Sequence, residues 1–321
     1  MKKTVAQTAP KNALPASNSK NWAARFRKEI GYHVLIWPAL IFIIIFAYIP
    51  MGGLAIAFKD YNIRVGIWKS PWNGLENFRK VFLDKSMGRV ITNTLAIGLL
   101  NVLFSFPVVI GFALLLNEVK NLLFKKIVQT VSYLPHFVAW TVMAIILKAM
   151  FDGAGGIISE LLMKLGITDK PLNLMTSADA YWGLAVWSAI WKELGWSAIL
   201  YLAVMSGINP NLYEAAEIDG AGRFQRMWYV TLPHLKGIIA IGLITTVGGV
   251  LGVGFDQAYY LSNSLNKTKA LTLSYYIWTR GLGEGNFAFA TAIGLILSVI
   301  GAVLTMTSNW ASKKLAGRGL Y

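Results

Sequence analysis

Six long apolar segments, separated by polar loops, dominate the hydrophobic pattern of this chain. They cover approximately residues 33–57, 90–116, 128–150, 182–206, 235–256 and 287–310. A helix needs roughly 20 mainly apolar residues to cross a bilayer, and each segment reaches that length. Half-buried strands would alternate apolar and polar positions, which these runs do not. The pattern therefore predicts an all-α polytopic membrane protein with six transmembrane helices.

The first 30 residues differ from the rest of the chain. They are polar and basic, with Pro, Ser, Asn and Gln, and we expect residues 1–30 to form a flexible cytoplasmic tail. A cleavable signal peptide would place a shorter apolar region nearer the start. The first apolar segment is therefore expected to be a retained anchor, and residues 31–321 to form the membrane domain.

Composition supports a membrane protein and excludes some kinds of site. The chain is 55% hydrophobic and 14% charged, with a mean hydropathy of +0.53. It contains no cysteine, which rules out disulfides and cysteine-ligated metals. The net charge of +15 is scattered through polar loops. No basic, aromatic-rich domain is present to bind nucleic acid, so anionic membrane lipids are the expected partner for these charges.

The distribution of Lys and Arg predicts the orientation. One set of loops holds 16 Lys and Arg, at residues 1–30, 117–127, 207–236 and 311–321. The other set holds 12, at residues 58–89, 151–181 and 257–286. Cytoplasmic loops carry the excess of basic residues, so the first set is predicted to be cytoplasmic, with both termini inside. The bias is small, because residues 58–89 alone hold seven of the 12.

A short, mostly polar island at about residues 207–236 separates the fourth and fifth apolar segments. Asn209 is placed to cap a helix that begins at Pro210. Gly220 and Gly222 permit the sharp turn that would end this helix. Residues 223–228 predict a second short amphipathic helix, before Pro233 restarts a membrane segment. A compact helix-turn-helix at the membrane surface suits mechanical contact with another protein.

This island resembles the "EAA" coupling loop of importer permeases of the ATP-binding-cassette class. The matching residues are Glu214, Ala215, Ala216, Asp219, Gly220, Ala221, Gly222, Leu232 and Pro233. By this resemblance the loop docks on a separate ATPase subunit, which binds ATP and magnesium. The sequence contains no G-x-x-x-x-G-K-[ST] phosphate loop, so we expect this chain to bind no cofactor and not to be an enzyme.

The resemblance extends from about residue 32 to residue 321, to permeases for aldouronates and other complex oligosaccharides. It is carried by residues 48–51, 57–60, 74–78, 115–119, 129–137, 190–192, 195–196 and 317–321. Asp256 departs from the pattern, where Glu would be expected. The resemblance implies the type I importer permease fold in the bacterial cytoplasmic membrane. The implied partners are a second related permease, ATP-binding subunits and an extracytoplasmic sugar-binding lipoprotein.

Charged and aromatic residues within the fourth segment are candidates for the substrate pathway. A lone charge at mid-membrane costs on the order of 3 kcal/mol, so Lys192 and Glu193 should face a cavity, a partner or each other. Sequence neighbours lie about 100° apart on a helix, so no simple face-to-face pair is expected. Trp191 and Trp196 offer rings that could stack on a sugar. Lys192 could pair with an acidic sugar, although pairing with Glu193 or subunit assembly is an alternative.

The end of the fifth segment supplies a second group of candidates. The glycine-rich run at residues 248–254 permits close helix approach or local unwinding. Asp256, Gln257 and Tyr260 follow it and combine hydrogen-bonding groups with a ring. Asn93 in the second segment could also contact substrate. Ordinary helix packing is the alternative interpretation for all of these residues.

Three functions fit the sequence. The leading interpretation is a permease subunit that moves oligosaccharides, some of them uronate-containing, by alternating access. A close rival is the same machine carrying peptides or amino acids. A secondary transporter or an intramembrane enzyme fits less well, because we detect no inverted repeat and no catalytic cluster. His33, His136 and His234 lack the spacing of metal ligands, and packing is the expected role of His136.

Overall fold

The computed structural model describes residues 22–252 and 254–316, which form 16 α-helices. They are α1 (Trp22–Ile43), α2 (Ile49–Met51), α3 (Gly66–Lys69), α4 (Glu76–Leu83), α5 (Met87–Asn117), α6 (Leu122–Tyr133), α7 (Trp140–Phe151), α8 (Ile157–Lys164), α9 (Tyr181–Ser206), α10 (Pro210–Ile218), α11 (Arg223–Arg226), α12 (Leu232–Gly249), α13 (Phe255–Leu261), α14 (Lys267–Ala270), α15 (Leu273–Trp278) and α16 (Phe287–Ala316). Within these residues the only strand-like pairing is an isolated bridge between Lys59 and Trp72. The predicted all-α fold class is confirmed.

The chain divides into two compact units, residues 1–54 and 55–321. In the first unit, α1 runs through a π-helical turn (Ile44–Tyr48) into α2. The helix begins at Trp22, so the prediction of a flexible tail is wrong for residues 22–30. These residues include strong helix formers such as Ala, Arg, Lys and Glu, which continue the apolar helix outward. The remainder of the predicted tail lies outside the described residues.

The second unit is organised around two helix pairs. The helix α5 packs along α9, and α12 packs along α16. One buried cluster joins α5, α9 and α12 through Val109, Tyr201 and Leu235. A second joins α5, α7 and α9 through other apolar side chains, including Ile97, Met143 and Leu184. Both of these clusters draw side chains from α5 and α9. The polar residues of these two helices are therefore candidates for lining a pathway.

Glycine permits close contact at two helix crossings. A Cβ atom on Gly195 of α9 would lie 2.2 Å from the backbone oxygen of Ser132 in α6. A Cβ atom on Gly248 of α12 would lie 2.3 Å from the Thr305 hydroxyl of α16. Real Cβ atoms do not approach other atoms this closely, so glycine is required beside the Ser132 backbone, and a larger residue at position 248 would displace the Thr305 side chain. Gly248 thus provides the close helix approach predicted for the glycine-rich run, whose Val253 lies outside the described residues.

The third predicted span, residues 128–150, is not one straight helix. The helix α6 leads into a 3-10 turn (Leu134–Phe137), and α7 leaves at 107° to the first arm. Pro135 lies in the turn, and the backbone is extended at Val138 and Ala139. Proline lacks the N–H of a continuing helix, and two extended residues redirect the chain. A hydropathy average over the segment cannot detect this corner.

The predicted count of six spans is not fully confirmed. By length and hydropathy, four helical stretches of the described residues can cross a membrane, or five if the bent α6–α7 pair is one span. The helix α9 is not among them, because its four Trp residues with Lys192 and Glu193 reduce its mean hydropathy. The fifth predicted span, residues 235–256, ends early, because Gly254 adopts a left-handed backbone with φ +60° before α13 begins.

Candidate functional site: the coupling loop and the polar cleft

The first helix of the predicted coupling loop begins as the sequence indicates. Asn209 caps α10, its side chain accepting a hydrogen bond from the Asn211 amide at 3.0 Å, and Pro210 occupies the first helical position. Gly222 differs from expectation. Its φ is −69°, and its amide donates to the Gln225 side chain at 2.7 Å, so it begins α11 without a left-handed backbone.

Gly220 makes the turn that ends α10. Its φ of +78° is left-handed, which glycine adopts without steric penalty. Its amide donates to the Glu217 carbonyl at 3.1 Å, and the Ala221 amide donates to the Ala216 carbonyl at 2.8 Å. These two bonds form a Schellman motif, which satisfies the last carbonyls of the helix. The predicted turn at Gly220 is confirmed.

Two side-chain contacts hold α10 against the segment that follows. The Arg226 guanidinium lies 3.1 Å from the Glu217 carboxylate, across the Gly220 turn. The Tyr213 hydroxyl is 3.0 Å from the hydroxyl of Thr231, which is fully buried. These contacts tie α10 to α11 and to the segment that leads into α12.

The outer surface of this loop is open in the isolated chain. Glu214, Ala215 and Asp219 are exposed, and Ile218 is 86% exposed although it is apolar. An exposed isoleucine beside carboxylates suits a protein contact. The other predicted coupling residues divide into half-buried positions, at Ala216, Ala221 and Leu232, and exposed ones, at Gly220, Gly222 and Pro233. Pro233 does not restart a separate helix, because a π-helical turn (Met227–Thr231) joins α11 directly to α12.

A cleft of about 390 Å³ opens between α5, α9 and α12. Its polar lining comes from Asn101, Ser105, Ser197, Tyr201, Thr245 and Thr246. The lining contains no charged side chain. The hydroxyls of Thr245 and Thr246 donate to helix carbonyls, which leaves their oxygen lone pairs facing outward as acceptors. Such a surface can accept hydrogen bonds from the hydroxyls of an uncharged ligand.

Lys192 does not face this cleft. It is 6% exposed, and its ammonium donates to the His136 carbonyl at 2.5 Å and to the Pro135 carbonyl at 3.4 Å. The Glu193 carboxylate lies 3.7 Å away. Pairing with Glu193 was one of the alternatives that the sequence left open for Lys192, and this distance agrees with it. Lys192 ties α9 to the α6–α7 corner, and its donors are occupied without a sugar.

His136 and Trp196 form the wall next to this ion pair. Their rings are parallel, within 1°, and their centroids are 4.3 Å apart. The His136 Nδ1 atom lies 2.7 Å from a Glu193 oxygen. Trp196 is 46% exposed and lines the cleft, whereas Trp191 is 39% exposed and does not. Of the predicted α9 residues, Trp196 is the one that reaches the cleft.

Asn93 and Gln257, both predicted for the pathway, belong to helix packing. Asn93 is 1% exposed, and its amide donates to the carbonyls of Thr268 and Leu271 at 3.0 and 3.1 Å. Gln257 is 4% exposed, and its amide donates to the Ser188 hydroxyl at 3.0 Å. Buried amides require such partners. Neither side chain is open to a ligand in this conformation.

Asp256 and Tyr260 lie apart from the cleft, on α13. Asp256 is exposed and Tyr260 is 41% exposed. Tyr260 joins a cluster of rings through Tyr259, whose centroid is 5.0 Å from that of Tyr260 and 4.9 Å from that of Trp278. The structure therefore contains two separate candidate regions, the cleft and this aromatic cluster.

A second polar network joins the predicted outer loops. The Tyr276 hydroxyl donates to the Asp84 carboxylate, and Arg280 lies 3.3 Å from the same oxygen. Burial by itself would raise the pKa of Asp84, but the hydrogen bonds from Tyr276 and Ser86, with the Arg280 charge, outweigh it and hold the pKa below its ordinary value of 3.8. Arg280 also pairs with Glu284 at 2.6 Å. Among the described residues, no cluster of His, Asp and Glu could hold a metal ion.

Residues 104–317 match the family described as the binding-protein-dependent transport system inner membrane component. This chain belongs to that family of transport permeases. The permease is 39% identical over 319 residues to protein LplB of Bacillus subtilis (strain 168), covering 98% of this chain and 100% of that protein. It is also 39% identical over 289 residues to the polygalacturonan/rhamnogalacturonan transport system permease protein YteP of the same organism, covering 90% and 89% of the two chains.

A solved structure shows the same fold. The permease matches a chain from the crystal structure of a bacterial alginate ABC transporter in complex with an alginate pentasaccharide-bound periplasmic protein. The TM-score is 0.86 at 32% identity, covering 94% of this chain and 100% of that chain. The type I importer permease fold expected from the sequence is thereby confirmed.

Sequence reasoning about the permease missed several cleft residues. Ser105, Tyr201, Thr245 and Thr246 were not singled out, although the Thr pair interrupts an otherwise apolar run. Adjacent hydroxyls in a membrane helix are a usable signal, because polar groups there tend to face a cavity or another helix. His136 was assigned a packing role, and only the folded chain shows that its packing partner is a cleft residue.

Proposed function

We propose that this permease moves oligosaccharides, including uronate-containing ones, across the bacterial cytoplasmic membrane as one subunit of an ATP-driven importer. The supporting observation is the uncharged, hydroxyl-lined cleft in a chain whose relatives carry sugar polymers in their names. Sugars offer hydroxyl donors and apolar ring faces, which match the cleft oxygens and the exposed indole of Trp196. The peptide or amino-acid alternative is not favoured, because relatives and solved structures with a stated cargo are named for sugars.

The permease supplies the path and the mechanical link, and other chains supply energy and selection. The loop from Glu214 to Gly222 is the proposed contact for an ATPase subunit, which binds ATP and magnesium. A second permease chain is proposed to complete the pathway, and a sugar-binding lipoprotein to deliver the cargo from outside. This arrangement requires the basic loops and both termini to be cytoplasmic.

Transport by alternating access requires that sugar and ATPase each favour one of two states. The coupling loop continues through the π-helical turn into α12, and α12 lines the cleft with Thr245 and Thr246. A push on the loop is therefore proposed to reach the cleft wall along one helical element. No covalent intermediate with the sugar is involved.

The cleft can be tested directly, because the chain contains no cysteine. Thr245→Cys in the assembled transporter should react with a water-soluble thiol reagent, and trigalacturonate should slow this reaction. Lys126→Cys, exposed in the first half of α6 and absent from the cleft lining, is the matched control and should react equally with and without sugar. Equal reaction at Thr245→Cys with trigalacturonate, galactotriose or no sugar would contradict the assignment of the cleft.

A further inference from the structure

The Trp196 indole is partly packed against other rings and partly exposed. One face lies against the His136 imidazole, parallel to it at 4.3 Å, and the edge of Phe137 contacts the indole at 5.8 Å. Even so, 46% of Trp196 remains exposed, and it lines the cleft. A ring that packs on His136 and keeps 46% of its surface exposed, at a cleft that it lines, can serve as a stacking surface.

His136 is held from both its side chain and its backbone. Its Nδ1 atom lies 2.7 Å from Glu193, and its carbonyl accepts from the Lys192 ammonium at 2.5 Å. The second Glu193 oxygen is 3.7 Å from that ammonium. The ring therefore has little freedom to rotate away from Trp196, because both ends of the residue are bound to α9.

The backbone brings these groups together. Gly195, next to Trp196, lets α9 touch the Ser132 carbonyl near the end of α6, and His136 follows four residues later, at the end of the arm that precedes the 107° bend. The close contact at Gly195 thus places His136 beside α9, next to the cleft.

We propose that His136 positions Trp196 as a stacking surface for a pyranose ring in the cleft, and that Lys192 and Glu193 act only by fixing His136. This inference rests on the proposed function. It identifies the recognised feature as the apolar face of a sugar ring. A carboxylate is not required, because the ammonium of Lys192 is already bound and the cleft lining is uncharged.

Two substitutions separate the contribution of the His136 ring from that of its hydrogen bond to Glu193. His136→Asn keeps a donor near the Nδ1 position but removes the ring, and His136→Phe keeps a ring but removes the bond to Glu193. Trp196→Leu removes the stacking surface itself. Trp187→Leu is the matched control, because Trp187 is 62% exposed on the same helix and lines a separate apolar groove.

The measurement is the concentration of trigalacturonate, or of neutral galactotriose, that halves the labelling of Thr245→Cys. We expect Trp196→Leu to raise it about threefold to tenfold for both sugars, the range that aromatic contact energies imply. Both His136 variants should also raise this half-protection concentration, and His136→Asn should raise it more than His136→Phe. Trp187→Leu should leave it unchanged. Sugar uptake should show the same pattern in KM, with Vmax within about twofold of the native value, and a merely structural defect would lower Vmax instead.

The outcomes separate the hypotheses. If sugar protects Thr245→Cys in the otherwise native chain but none of the three variants changes the half-protection concentration, the positioning role is wrong and the proposed function stands. If Trp196→Leu alone has an effect, Trp196 binds sugar and His136 does not position it. If galactotriose is unaffected while trigalacturonate weakens, a charge is being recognised and the stacking proposal fails. If no sugar protects the native chain, the cleft assignment falls and this proposal falls with it.

Discussion

The carboxylate of Glu217 and the guanidinium of Arg226 lie 3.1 Å apart, on opposite sides of the turn at Gly220. The pair joins α10 to α11, and α11 continues into α12 without a break. It therefore connects the surface proposed to meet the ATPase with a helix that lines the cleft.

Reversing one charge of this pair should weaken coupling, and reversing both should restore it. Glu217 is 71% exposed, so the pair contributes below about 1 kcal/mol to folding, and the permease should stay in the membrane. We expect Arg226→Glu to lower sugar-stimulated ATP hydrolysis and Glu217→Arg with Arg226→Glu to recover it. A double variant as defective as the single one would indicate that the pair does not transmit motion.

Gly220 should tolerate no β-branched residue. Its φ of +78° costs such a residue at least about 1–2 kcal/mol, and relaxation would move the Schellman turn. Gly220→Val should reduce the amount of ATPase that co-purifies with the permease and abolish uptake. Gly207→Ala is the control, because Gly207 lies outside the proposed contact, its φ is −89° and its nearest neighbour would be 3.5 Å from the new Cβ atom. Normal uptake by Gly220→Val would remove the main support for the coupling role.

Lys192 should contribute to stability, and its loss should reduce the uptake of neutral and acidic sugars equally. Lys192→Met leaves two carbonyls and Glu193 without their donor, which costs about 1–3 kcal/mol for each buried unpaired group. We expect a lower melting temperature in detergent and equal losses of neutral and uronate uptake. Lys148→Met, at an exposed position of α7, should change neither. Selective loss of uronate uptake would restore the idea of an acid-binding lysine.

The Asp84 network should make the outer loops sensitive to acid. The pKa of Asp84 is lowered in the folded chain. The stability that this carboxylate adds is therefore present above its ordinary pKa of 3.8 and is lost as the pH falls through the lower folded-state pKa. Thermal unfolding followed from pH 7 to pH 3 should show a loss of stability below about pH 4. Asp84→Asn should be less stable at pH 7 and should lose less on acidification. Parallel curves for the two proteins would argue against this role.

Orientation can be settled with single cysteines at exposed positions. Lys69→Cys, Asp169→Cys and Lys267→Cys should react with an impermeant thiol reagent in intact cells. Lys126→Cys, Arg223→Cys and Lys313→Cys should react only after permeabilisation. External reaction at Arg223→Cys would invert the topology and exclude the ATPase contact.

Local rules predicted the coupling loop well, and tertiary contacts account for the errors. The Asn209 cap and the Gly220 turn depend on a few neighbouring residues, so the sequence contains the information needed. The corner at Pro135 was missed, because an apolar average does not register two extended residues. The role of Lys192 was missed for another reason, since its carbonyl partners lie on a different helix and no spacing rule connects them.

The uncharged cleft affects how a transporter of this kind would acquire a new substrate. A cleft that recognises ring faces and hydroxyls needs no new side chain when the imported polymer changes from one plant or algal polysaccharide to another. Exchange of the external receptor alone would then redirect uptake, while the membrane channel stays as it is. Closely similar permeases could thus be found in gene clusters that consume chemically different polysaccharides.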